Sequence, residues 1–283
     1  MPEGDSPMTT AGEEIRLITY LSPSIPRALF EALTEHLQRA LGRERVSLEV
    51  ETRISGPQKG EQCSPLGTEA DVAFMCAPSF FWLRELQPPP MELLGVLPVF
   101  DDERNQGKPV YFCDVVVRHD SPTQAFSDLQ GGSWYYNDAC SLSGYYSLLD
   151  KLAESGTDES FFDRVICSGS HLNSIEAILR GEADAAAIDS NVLRIRLREV
   201  PDLQERLRVI ESWGPYPIQP VVVDSALDPA LKARLRTAFL ATEDDQHTQQ
   251  VLEQFGLTRF VAVDQEDYTL AAHKDLVTLI TAR

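Results

Sequence analysis

Three short runs in this chain are dominated by apolar residues. They are Ala70-Asp71-Val72-Ala73-Phe74-Met75-Cys76, Val110 to Arg118 with four valines, Tyr111 and Phe112, and Ala183 to Ile188. Runs of this length without a polar alternation suit strands buried on both faces, as in a parallel sheet covered by helices. Between them lie segments with helical periodicity. The clearest has Leu29, Phe30, Leu33, Leu37 and Leu41 on one face and ends at Gly42, so a helix is expected over about 26–41. Strands that alternate with amphipathic helices restrict the chain to an α/β architecture with mainly parallel sheets.

The same reading extends along the sequence. Strands are expected at 15–20, 46–50, 70–76, 93–100, 110–118, 133–136, 183–188, 206–212 and 221–223, with 261–263 as strand or loop. Helices are expected after Ala77-Pro78-Ser79, over 144–153 and 171–180, from Val192, and over 227–240, 251–255 and 268–281. Gly181 sits where a helix C-terminus favours a left-handed glycine. Pro215, Pro217 and Pro220 are expected to break the chain before Val221. No repeat or low-complexity tract is visible.

The 283 residues suffice for two lobes with their own cores. Acidic side chains outnumber basic ones, 44 to 25, for a formal net charge of −19. That argues against nucleic acid or an anionic membrane as partner, since both require a basic surface. An anionic ligand would need a site made locally positive by backbone N–H groups and helix dipoles. The five cysteines form no CxxC pair and no zinc spacing, so reduced thiols and no metal site are expected. No cofactor is implied. No stretch approaches the roughly 18 apolar residues of a membrane span. Met1 to Glu14 lacks a basic region followed by an apolar one. Residues 1–13 are expected to be disordered. The chain as written reads as cytoplasmic, and as periplasmic or extracellular if its N-terminus is trimmed.

Two polar runs point to chemistry. Asn137-Asp138-Ala139-Cys140-Ser141-Leu142-Ser143-Gly144 reads as a hydroxyl-rich turn opening a helix. Ser168-Gly169-Ser170-His171 reads as a turn opening another. If both face one crevice, their free N–H groups, serine hydroxyls and histidine form an anion site. Read alone, Ser141 and Ser143 are N-caps and His171 is a helix-edge residue.

The chain resembles the substrate-binding proteins of phosphate, phosphite and phosphonate ABC importers. The resemblance runs through Thr19 to Pro26, Ala70 to Phe74 with Ala77-Pro78-Ser79, and Pro109 to Phe112 with Val116-Val117-Arg118. It continues through Ser141-Leu142-Ser143-Gly144 and the segment from His171 to Asp184. It implies a type II periplasmic-binding-protein-like fold whose two lobes enclose a crevice. Lobe one would be 14–116 with 214–283, and lobe two 117–213. It also implies that Tyr111, Ser141, Leu142, Ser143 and His171 bind the ligand, with Ser79 and Asp189 as second-rank candidates. Leu142 stands where a threonine is common and Phe80 where a tyrosine is frequent. Leu172 and Gln219 stand where the resemblance places acidic residues that hold an aminoalkyl ligand's amine. A smaller oxyanion is therefore expected.

The implied function is capture of phosphate, phosphite or phosphonate by a monomeric, non-enzymatic receptor whose partner is an ABC permease. The alternative is a cytosolic sensor or enzyme on the same fold acting on an organic phosphate. Cys140 with His171, or Ser143 with His171 and Asp184, could be written as catalytic sets. The chain has no G-x-S-x-G elbow to support them.

Overall fold

The computed structural model describes residues 14–42, 45–58, 70–266, 268–269, 276 and 278–280. The N-terminal segment expected to be disordered lies outside them, as do Cys63 and most of the helix expected over 268–281.

The chain opens with β1 (Glu14–Thr19), α1 (Arg27–Leu41) and β2 (Arg45–Val50). The leucine stripe of α1 is buried as its spacing requires, and Gly42 ends the helix at φ +83°. Next come β3 (Val72–Phe74), α2 (Ala77–Arg84) and β4 (Met91–Leu93). The run expected as one strand over 93–100 divides at Gly95, which has positive φ, and continues as β5 (Val96–Phe100). The middle of the chain supplies β6 (Val110–Arg118), β7 (Ser133–Tyr136), α3 (Ser147–Glu154), β8 (Arg164–Cys167) and α4 (His171–Arg180). It continues with β9 (Ala185–Asp189), α5 (Ser190–Glu199) and β10 (Leu207–Pro217). The remainder is β11 (Val221–Asp224), α6 (Pro229–Leu240), α7 (Gln246–Gln254) and β12 (Leu257–Ala262).

Two five-stranded sheets result, ordered β2-β1-β3-β11-β4 and β10-β6-β9-β7-β8, and β5 pairs separately with β12. Each sheet is mixed. In the first, β1 runs parallel to β2 and β3, while β11 is antiparallel to β3 and β4. In the second, β7 is parallel to β8 and β9, while β6 is antiparallel to β9 and β10. The parallel strands are joined by helical crossovers, and the antiparallel ones enter from elsewhere in the chain.

The prolines after Ser212 do not end a strand at 212. β10 runs on to Pro217, pairing with β6 as far as Pro217 opposite Val110. It lies at the sheet edge, where a missing N–H costs no ladder bond, and its pairing shifts register between Trp213 and Tyr216. The lobe boundaries expected at 116/117 and 213/214 both fall inside this β6–β10 ribbon.

Trp134, Phe126, Phe162 and Trp213 pack edge-on and stacked beneath the second sheet, with ring centroids 5.3–6.0 Å apart. Phe74 joins Phe30 and Phe239 in the first core at 5.2 and 6.0 Å.

Candidate anion site between the two sheets

Five helical segments begin at one cavity. The turn before α1 contributes Ser22, Pro23, Ser24 and Ile25, and Cys76 precedes α2. Ser141 caps the segment leading into α3, Gly169, Ser170 and His171 open α4, and Asp189 caps α5. Each start leaves backbone N–H groups without intrahelical partners and presents the positive end of its dipole. Thr52 and Ser55, after β2, close another side. The cavity volume is about 30 Å³, room for about two waters.

The turn at 137–146 is built by close contact. Leu142–Tyr146 winds as a π turn, with Tyr146 N–H donating to Ser141 C=O at 3.1 Å. A Cβ on Gly144 would lie 1.8 Å from Asn137 Oδ1, so only glycine lets this turn pack on Asn137. Ser141 Oγ accepts from Gly144 N–H at 3.0 Å, as an N-cap does. Ser143 Oγ lies 3.0 Å from His171 Nε2. Burial pushes the His171 imidazole down to about 3, so the ring is neutral at physiological pH. Its Nδ1 is buried without a hydrogen-bond partner among the described residues.

Hydrogen bonds join the two sheets across the cavity. Ser55 Oγ donates to the Asp138 carboxylate, and Ser24 Oγ accepts from His171 N–H at 3.3 Å. Leu142 N–H donates to Cys76 Sγ at 3.2 Å. Asp138 also accepts from Asn137 Nδ2 and Cys140 N–H, both at 2.9 Å. Asp189 Oδ1 accepts from Asn191 and Val192 N–H at 2.7 and 3.3 Å, and its Oδ2 accepts from Gln219 Nε2 at 2.6 Å. Burial raises both carboxyls, Asp189 to about 6.

Of the residues singled out in the sequence, Ser141, Ser143, His171 and Asp189 meet at this cavity, and Gln219 joins them. Leu142, Tyr111 and Ser79 are buried but do not line it. The Leu142 N–H is taken by Cys76, and Ser79 Oγ donates to Pro57 C=O at 2.8 Å. Tyr111 is fully buried beside Tyr216, its hydroxyl without a partner among the described residues. Phe80 packs against Tyr268 in the core, and Leu172 lines a separate outer groove with Arg27 and Arg196. Asp184 holds a turn, accepting from Ser133 N–H and Oγ at 2.7 and 2.8 Å. Sequence reasoning did not assign Ser22, Ser24, Thr52, Ser55, Cys76 or Asp138 to the site. The Asn137-Asp138 pair beside the serine turn was the visible signal.

Two mixed sheets with helix starts gathered at a cavity between them are the architecture of periplasmic solute-binding proteins. The chain belongs to the family described as ABC transporter, phosphonate, periplasmic substrate-binding protein, which matches residues 15–268. Solved structures agree on the fold. A binding-protein component of an ABC phosphonate transporter from Pseudomonas aeruginosa superposes with TM-score 0.76 at 18% identity, covering 95% of this chain and 87% of that one. The methylphosphonate complex of PhnD1 from Prochlorococcus marinus gives 0.76 at 16% identity, covering 96% and 99%. An ATP-bound protein from Xanthomonas citri gives 0.65 at 19%, covering 96% of each chain. The family is one of solute receptors rather than enzymes, and membership implies a small ligand and permease partners. No helix among the described residues is long and apolar enough to cross a membrane.

Proposed function

We propose that this protein captures a small phosphorus oxyanion, namely phosphate, phosphite or a small phosphonate, for an ABC importer. Ser143, His171 and Ser141, with the N–H groups at the surrounding helix starts, contact the oxygens. The observation that carries this reading is the convergence of five helix starts on a cavity of about 30 Å³ rich in hydroxyl groups. A cavity of that size favours a small oxyanion over a nucleotide such as the ATP held by the Xanthomonas citri protein. The lobes in this reading are the two sheets with their helices, and the chain passes between them beyond the ends of β6 and β10. The receptor acts as a monomer and presents both lobes to the permease from the periplasmic side.

Titration calorimetry of ligand-free protein with phosphate, phosphite, methylphosphonate and 2-aminoethylphosphonate tests this. Saturable heat with at least one of the first three is expected. Silence with those three would overturn the reading.

A further inference from the structure

Helix α5 starts at the cavity and reaches away from it toward the other sheet. Its N-cap Asp189 and its Val192 line the cavity, and Ser190 Oγ accepts from Phe112 N–H at 3.1 Å, which ties the helix start to β6 of the second sheet. Further along, Arg194 and Arg198 stand one turn apart on a shared face. Both reach Asp101. Arg198 Nη2 donates to Asp101 Oδ2, Arg194 Nη2 lies 3.6 Å from Oδ1, and the same Nη2 donates to Asp101 C=O at 3.3 Å.

Asp101 belongs to the opposite body. It follows β5 directly, and its N–H donates to Gly256 C=O at 2.9 Å, at the entry to β12, the partner of β5. Phe260 of β12 packs on Phe239 at 5.0 Å, and Phe239 packs on Phe74 of the first sheet. Gly256 leaves the space for this joint, since a Cβ there would lie 2.6 Å from Arg198 Nη1 and 2.8 Å from Asp101 Oδ1. The helix is thus tied to the second sheet at its start and to the first body along its later turns.

Other members of the joint oppose it. Asn105, in the turn after Asp101, is 1% exposed, and neither atom of its amide has a partner among the described residues. Arg194 Nε is buried and unpartnered in the same way. Separation of the joint would return these atoms to water, so they favour opening. The Asp101 ion pairs favour contact, but weakly, because all three side chains are partly exposed. The two tendencies are of similar size, which leaves the joint near balance.

Resting on the reading of the two sheets as lobes that close on a ligand, we propose that this joint sets the closing equilibrium and, through it, the affinity. Asp101 is a positioning residue. Through Arg194 and Arg198 it draws α5 onto the first lobe and so brings the start of α5 to the closed cavity. Asn105 works against it. Neither residue lines the cavity, so the pair tunes how tightly the receptor holds its ligand without touching that ligand.

The test combines solution X-ray scattering of the ligand-free protein with phosphorus NMR exchange of methylphosphonate. Asp101→Asn is expected to enlarge the ligand-free protein and to raise the dissociation rate about threefold, with the association rate unchanged. Asn105→Leu puts an apolar side chain of similar size at the joint, and should contract the protein and lower the dissociation rate about threefold. Arg198→Gln should repeat the effect of Asp101→Asn from the other side, and replaces it if that variant does not fold. A merely structural role would lower the melting temperature of the variants without moving the dissociation rate in opposite directions. Dissociation rates that stay at the wild-type value, or that move the same way in Asp101→Asn and Asn105→Leu, would overturn the proposal and leave the oxyanion reading standing. Absence of wild-type binding by phosphate, phosphite and methylphosphonate would overturn the oxyanion reading. Scattering alone then decides the joint, and the proposal falls unless the two variants shift to opposite sides of the wild type.

Discussion

Two clusters of buried carboxylates in this molecule are built on opposite rules. At Arg104 the guanidinium reaches Asp102 at 2.6 Å and Asp114 at 2.7 Å, Ser212 donates to Asp114 at 2.6 Å, and Phe112 lies beneath the cation at 4.7 Å. Both carboxylates share one cation, and the guanidinium holds the Asp102 carboxyl below its ordinary range. At the cavity, Asp138 and Asp189 have hydrogen bonds but no cation among the described lining residues, and burial lifts both. Tyr111 Oη, His171 Nδ1, Asn137 Oδ1 and the Asn191 amide are buried there or nearby without partners among the described residues. A cluster that only holds the fold together satisfies its members. A cluster that awaits a ligand leaves some of them unsatisfied, at a cost to stability.

The contrast can be broken experimentally. Arg104→Met leaves Asp102 and Asp114 buried without their cation, and should cost about 2 kcal/mol in urea unfolding, less than for a fully buried pair because the guanidinium is partly exposed, while leaving oxyanion affinity unchanged. A loss below about 1 kcal/mol would show that this cluster is no more structural than the cavity.

Asp189→Asn should do the reverse and stabilise the protein at neutral pH. Between the unfolded and folded values the folded carboxyl is still protonated while its unfolded counterpart is already ionised. Its contribution is therefore full below the unfolded value near 3.9, and is lost as pH rises through the folded value of about 6. Above that window the wild type should lie about 2 kcal/mol below the variant, part of the gain being offset by weaker cap bonds. Thermal unfolding of both proteins across the window checks the sign. A gap that closes with rising pH contradicts it.

Ser143→Ala should weaken oxyanion binding by about tenfold, the value of one hydrogen bond to a charged group, with little change in melting temperature. An unchanged dissociation constant would remove Ser143 from the site. The smallest effect is expected for Cys140→Ser, within about 0.5 kcal/mol in stability and without loss of binding. A complete loss of binding would give Cys140 a role its geometry does not suggest.

How much of this was legible depended on how local each signal was. The starts of α4 and the segment entering α3 were readable because cap, glycine and histidine lie within a few residues of one another. The cavity wall was less so, because Ser55, Cys76 and Asp138 meet only after the two sheets come together, and no spacing records that. Arg164–Cys167 went unread as a strand, being short and flanked by charge. β10 was read as ending too soon because proline opposes strand structure in general but not at an edge. Tyr111 and Ser79 were placed at the ligand by resemblance alone, and local packing turns both into the interior.

Between the end of β10 at Pro217 and the start of β11 at Val221 the chain crosses from one sheet to the other in three residues, Ile218, Gln219 and Pro220. Ile218 is fixed at both polar groups, its N–H on Pro109 C=O at 3.1 Å and its C=O receiving the Tyr268 hydroxyl at 2.6 Å. The next residue is the one whose amide touches Asp189. The short tether between the sheets thus carries a piece of the cavity wall. An isotopic label on the Gln219 side chain would act as a built-in goniometer, its resonance reporting whether the angle between the sheets changes when ligand is added.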